Sequence, residues 1–232
     1  MGAGRSGLPK GVKRGDYNLK GYKVFTSVPA YSHEYESDDG QTARWFKKNS
    51  NIDDVISGMS YFDIDAINDY WSPGHFMSGQ QYDGFSSMSA TDQELTRSLD
   101  KSIDKSEFNK GIVAVRLSSW NQLGGKKSDE QLNKLIGSET VILGHQSAAA
   151  AKEGLKIAGG KSVEYRFHIP AGVKGAAMWI GDKRINGWGD KQREILINRD
   201  HVYTFAGYHY DAARGVTVID LVWNRALKHN YD

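Results

Sequence analysis

Gln192-Arg193-Glu194-Ile195-Leu196-Ile197 is the stretch on which the reading turns: two polar side chains flank an arginine and lead straight into three aliphatic residues. A short apolar run of this kind reads as a buried strand. Side chains two apart on a strand share a face, so the spacing predicts that Gln192 and Glu194 reach into one cleft. Working outward, a second strand-like run, Gly111-Ile112-Val113-Ala114-Val115, ends on a charged residue, Arg116. A planar guanidinium suits phosphate oxygens, and a carboxylate at the mouth of a strand suits a developing positive charge. Together they point to attack on a glycosidic bond in a ligand that carries phosphates.

The rest of the chain divides by periodicity. Met1 to about Asp16 is rich in Gly and Lys and reads as flexible. Tyr22–Phe25 reads as a short strand and Ser32–Gln41 as a polar loop. Arg44-Trp45-Phe46-Lys47-Lys48 reads as the amphipathic edge of a first helix rather than a nucleic-acid contact. Ile64, Ile67 and Trp71 are spaced for a helix over 63–71. Leu95, Leu99 and Ile103 stripe another that starts at Ala90, with Thr91 or Asp92 as cap. A third covers Asp129–Ile136. Strands are expected at Val141–Leu143, Val163–Ile169, Ala176–Ile180, Ile195–Ile197, Val202–Ala206 and Val216–Trp223, with Ala148–Ile157 as the one helix among them.

Composition mostly excludes. With 232 residues and 39% hydrophobic content the chain can bury a sizeable core. A net charge of +2 is too small to argue for nucleic acid. Zero cysteines rule out disulfides and zinc-thiolate sites, and the seven histidines show no metal-ligand spacing. No metal is expected. No apolar stretch reaches the ~20 residues a membrane span needs, and Met1–Lys13 has no hydrophobic core of a secretory signal. The expectation is a cytoplasmic protein, or one delivered to a target cell by a non-Sec route. No P-loop, Gly-x-Ser-x-Gly or dinucleotide-binding glycine fingerprint occurs.

From about Ile112 to Phe205 the chain resembles the catalytic core of the mono-ADP-ribosyltransferases of the bacterial exotoxin and phage type. Val113-Ala114-Val115-Arg116-Leu117 matches the family's strand-end arginine. Gln192-Arg193-Glu194-Ile195-Leu196-Ile197 matches its Gln-x-Glu block with the strand that follows. Tyr165-Arg166-Phe167-His168-Ile169-Pro170-Ala171-Gly172 is similar to the strand and Pro-x-Gly turn before its substrate loop. The family's Ser-Thr-Ser segment has no clean counterpart. Leu143-Gly144-His145-Gln146-Ser147-Ala148 stands there, with Ser147 as the remaining hydroxyl and Gln146 or His145 as a polar substitute. Ser138-Glu139-Thr140 is the competing placement.

The resemblance implies an α+β fold, with N-terminal helices on a two-sheet β core and an NAD cleft between the sheets. Residues 1–50 would be a partly flexible extension and 51–232 the catalytic domain. NAD would be a co-substrate, and its ADP-ribosyl group would pass to a macromolecular acceptor. Glu194 would stabilise the ribose charge, Gln192 orient the acceptor, and Arg116, Ser147 and Gln146 hold NAD. Trp188, in Asn186-Gly187-Trp188-Gly189-Asp190-Lys191, would recognise the target. By resemblance, Gln at position 192 favours an asparagine side chain or a guanine base over arginine. Plainer readings compete: Glu194 as a surface carboxylate, Arg116 as a structural ion-pair partner, Gln192 as a polar loop residue and Trp188 as core. So do an NAD glycohydrolase, a nucleic-acid modifier, and an inactive binding or virion module on the same fold.

Overall fold

A computed structural model describes residues 19–31, 34–71, 85–142, 144–155, 162–177, 184–185, 193–229 and 231. Helices come first: α1 (Gln41–Asn49), α2 (Ile52–Ser57), α3 (Tyr61–Trp71) and α4 (Ala90–Ile103), after a small antiparallel pair, β1 (Pro29–Tyr31) and β2 (Glu34–Tyr35). Strand β3 (Ile112–Ser118), a 3-10 turn at Trp120–Leu123 and α5 (Asp129–Leu135) follow. The chain ends in strands β4 (Glu139–Ile142), β5 (Gln146–Ala149), β6 (Val163–Ile169), β7 (Ala176–Ala177), β8 (Glu194–Ile197), β9 (His201–Asp211) and β10 (Val216–Ala226).

Eight strands join in the order β4-β9-β10-β6-β3-β5-β8-β7. Five form one lobe, in which β10 runs parallel to β6 and the other pairings are antiparallel. Three form a second lobe, β5-β8-β7. A single bridge, Val115 to Ala149, links the two. One core cluster contains Ile112, Phe167 and Leu221 from the first lobe and Ala148, Ile195 and Ile197 from the second, so the lobes face each other across it. This is the two-sheet β core expected, closed at one seam. On the other face of β8, Leu196 packs with Ile56, Ile67, Leu99 and Ile103 of the helices. β8 is buried at every position and apolar after Glu194, whereas β6 alternates apolar Val163, Tyr165, Phe167 and Ile169 with Glu164, Arg166 and His168, whose charges are paired.

Phe46 of α1 is fully buried against Phe25 and Phe108, upstream of residue 51. The helix at 44–48 is therefore an amphipathic one, with Lys47 and Lys48 on its exposed side.

Local expectations needed three corrections. The stretch from Ala148 is not a helix: its first residues belong to β5, and the remainder to Leu155 bends away without helical turns. Alanine's helix preference is worth under about 1 kcal/mol per residue, and pairing with β3 and β8 on both sides outweighs it. The cap of α4 is Ser89, whose hydroxyl accepts from the Asp92 N–H at 3.1 Å, not Thr91 or Asp92. The strand expected at Tyr22–Phe25 is only a bridge from Lys23 to Ile112. The last three residues of the strand expected at Ala176–Ile180, with Trp179, lie outside the described residues, as does Leu143.

Candidate functional site

Seven residues of β3 bury almost everything they carry, and Arg116 is the half-buried exception. Alternation puts it on the side of Ile112 and Ala114, which face the opposing lobe. Its cross-strand partner is Tyr165. Burial raises the Tyr165 phenol well above its usual range, and the Arg116 charge pulls it partly back. The Tyr165 hydroxyl donates to the Ser119 carbonyl at 3.2 Å. One guanidinium nitrogen of Arg116, Nη1, is buried and has no hydrogen-bond partner among the described residues. A buried, unpaired N–H of a cation is costly, and an anion of matching shape relieves that cost.

Gln146 opens β5 and is buried on the same side as Ala148. Its Oε1 accepts from Gln122 Nε2 at 3.0 Å, and its Nε2 donates to the Gly144 carbonyl at 3.0 Å, tying the 3-10 turn after β3 to the start of β5. Ser147, half-buried, points the other way, to the face of Ala149.

Glu194 is the first residue of β8 and is 4% exposed. It pairs with Ala149, which in turn pairs with Val115, the neighbour of Arg116. Two inter-strand spacings, ~10 Å, therefore separate the Glu194 backbone from β3 beside Arg116. Ser147 pairs with Leu196, so it is the diagonal neighbour of Glu194 on a shared face, ~7–8 Å away between Cα atoms. The structure thus sorts the four residues into two pairs: Arg116 with Gln146 toward the opposing lobe, and Ser147 with Glu194 on the other face of β5 and β8.

The strand-alternation argument for Gln192 does not hold. Arg193 lies in a turn at φ 49, in the left-handed region, so regular strand geometry begins only at Glu194. Gln192 and Trp188 themselves lie outside the described residues.

A buried ionic network supports the start of β5. Asp100 of α4, fully buried, lies 2.9 Å from His145 Nε2 and accepts from Arg199 Nε at 3.0 Å and the Tyr231 hydroxyl at 3.0 Å. Burial pushes the Asp100 carboxyl up, but His145 and Arg199 outweigh it and hold it down at about 2. The Tyr70 hydroxyl of α3 donates to the His145 carbonyl at 3.3 Å. His145, read from sequence only as a polar substitute, is thus the link between the helices and the candidate site. The carboxylate that holds it, 45 positions upstream, carried no local signal. Among the described residues no group of three or more His, Cys, Asp or Glu is arranged to hold a metal, and no helix is long and apolar enough to cross a membrane.

No family model matches the chain, and no curated protein matches it in sequence. Solved structures do. C3stau2 from S. aureus, in a structure with NAD, is similar at 18% identity and TM-score 0.65, covering 88% of this chain and 99% of that one. The Clostridium limosum C3 exoenzyme gives 16% identity and TM-score 0.68, covering 88% and 98%. Plx2a, an ADP-ribosyltransferase toxin from Paenibacillus larvae, gives 16% and 0.66, covering 81% and 97%. The chain has the fold of the ADP-ribosyltransferase toxins.

Proposed function

We propose that this protein is a mono-ADP-ribosyltransferase that uses NAD as co-substrate and transfers its ADP-ribosyl group to a macromolecular acceptor. The observation that carries the reading is the register Val115–Ala149–Glu194, which sets a buried carboxylate two strands from Arg116, on the face that Val115 shares. The buried Nη1 of Arg116, without a partner among the described residues, supports a phosphate-bearing ligand, because a pyrophosphate oxygen would supply an acceptor. NAD supplies an ADP-ribosyl group bonded to nicotinamide, a leaving group that departs neutral.

Within this reading Arg116 holds the pyrophosphate. Glu194, nearly excluded from water, faces the ribose and stabilises the positive charge that develops as the bond to nicotinamide breaks. The Ser147 hydroxyl, diagonal to Glu194, orients that carboxylate, and Gln146 holds β5 against the turn after β3. Gln192 orients the acceptor, which forms the new bond to the ribose and gives up its proton; an amide does not take that proton itself. Gln in this place supports an asparagine side chain or a guanine base over arginine, and Trp188 belongs to acceptor recognition. The catalytic unit extends upstream of residue 51, since Phe46 is part of its core.

A second reading, an inactive binding module on the same fold, is favoured by one feature. Ala149 stands directly across from Glu194, and neither it nor Ala148 carries the hydroxyl of the family's Ser-Thr-Ser segment.

The test is incubation of the purified chain with adenylate-labelled NAD and cell lysate, with and without nuclease. A protease-sensitive label that disappears in Glu194→Gln supports a protein-directed transferase, and a nuclease-sensitive one moves the acceptor to a base. Nicotinamide release without label means water is the acceptor. A folded chain giving neither leaves the binding module.

A further inference from the structure

Arg193 sits in sequence between Gln192 and Glu194, and its guanidinium points back to the N-terminal segment. The side chain is almost fully buried. Nη1 donates to Asp38 Oδ2 at 2.5 Å and to Thr42 Oγ1 at 2.7 Å, and Nη2 donates to the Glu36 carbonyl at 2.5 Å. Asp38 Oδ2 also accepts from the Thr42 N–H at 3.0 Å and from its hydroxyl at 2.5 Å, so the same carboxylate holds the first turn of α1. The main chain of Arg193 is held from the opposite side, where its carbonyl accepts from the Ala150 N–H at 2.9 Å as the chain leaves β5. Its backbone is left-handed, a conformation that an L-residue other than Gly, Asn or Asp rarely adopts unless its surroundings impose it.

We propose that the Arg193–Asp38–Thr42 clamp is a positioning device for the active-site turn. It holds residue 193 left-handed, so that the chain enters β8 with Glu194 at its first position. The segment from Glu36 to Thr42 thereby becomes a working part of the site, although it is 155 residues from Arg193 along the chain and touches no reacting atom. This rests on the transferase reading above. Arg193 acts on the geometry of Glu194, whereas Arg116 acts on the hold on NAD, so loss of the clamp lowers turnover and leaves NAD affinity in place. A shift of about 1 Å in a catalytic group costs up to about 100-fold.

The test compares Asp38→Asn, Arg193→Ala and the double variant with the parent and with Arg116→Ala, by steady-state nicotinamide release from NAD. Thermal unfolding runs in parallel, and hydrogen exchange is followed at Ala150 and residues 193–195. The expected result for each single variant is a turnover about 10- to 100-fold lower with KM for NAD within about twofold. The double variant should be no worse than Arg193→Ala, because the pair acts as one unit. Arg193→Lys, which keeps the charge without the fork that reaches both acceptors, should recover turnover only in part. Unchanged turnover, a rise in KM alone, or additive losses in the double variant would overturn the proposal. If the parent and Glu194→Gln release nicotinamide equally, the transferase reading has failed. Exchange then decides alone: the clamp stands if Asp38→Asn deprotects Ala150 and 193–195 with unfolding temperature unchanged, and falls if protection is retained.

Discussion

Gly154 shows how tightly single residues are constrained around the seam. A Cβ there would sit 2.3 Å from the Leu117 backbone nitrogen and 3.0 Å from the Arg116 carbonyl carbon, and that peptide bond within β3 cannot yield cheaply. Gly154→Ala is therefore expected to cost about 1–3 kcal/mol, as overpacking does, and to disturb Arg116; urea unfolding measures the first effect and KM for NAD the second. An unchanged midpoint would mean that the loop moves freely. Glu194→Gln keeps size and loses charge, so activity should fall by more than about 100-fold with no change in unfolding. Equal NAD consumption by variant and parent would remove Glu194 from the mechanism. Arg116→Ala should raise KM, with saturating NAD restoring part of the rate if its phosphate contact is equal in ground and transition states.

At the scale of elements, charge adds to what the hydrophobic core already joins. Asp100 ties α4 to the start of β5 through His145 and to the turn after β8 through Arg199. Asp100→Ala removes the shortest partner of buried Arg199, leaving Asp200 at 3.6 Å, and should cost about 3–5 kcal/mol, read as a lower chemical-denaturation midpoint. The folded Asp100 carboxyl titrates at about 2, below its unfolded value. Its stabilisation is therefore complete above about pH 4 and is lost as pH falls toward 2. The C-terminal segment obeys the opposite sign. Burial works against a charged His229, but Asp104 at 3.1 Å and Asp200 at 3.2 Å outweigh it and raise the ring to about 9. That stabilisation is full below about pH 6.5 and disappears as pH rises through 9. Melting temperature should decline across that window in the parent and stay flatter in His229→Gln. Parallel slopes would show that the contact contributes nothing.

For the whole molecule the question is where the folding unit begins. Phe25 and Phe46 belong to the same core as β3, β6 and β8. Removal of residues 1–50 should therefore abolish cooperative unfolding, and Phe46→Ala alone should cost about 3–5 kcal/mol. A truncated chain that melts sharply would confine the unit to the remainder. Sequence periodicity does not reach this scale. It recovered β6 to the residue, because Val163, Tyr165, Phe167 and Ile169 alternate with Glu164, Arg166 and His168 at the period of a strand. It placed α4 from its stripe of Leu95, Leu99 and Ile103, which local helical spacing dictates. It missed β5, whose alanines favour helix in isolation and become a strand only between β3 and β8.

By itself, then, the sequence determined the residue types proposed to carry chemistry, Arg116 within one strand and Glu194 at the start of another, and the periods of the segments around them. These are local properties, set by side-chain chemistry and spacing along a few residues. Tertiary structure decided which of them meet. The order β3-β5-β8 set Glu194 two strands from Arg116, and an arginine nitrogen is buried without a partner among the described residues. Contacts spanning most of the chain turned Arg193 left-handed. Each of these depends on pairing distant segments, and no local pattern encodes the free energy of that pairing.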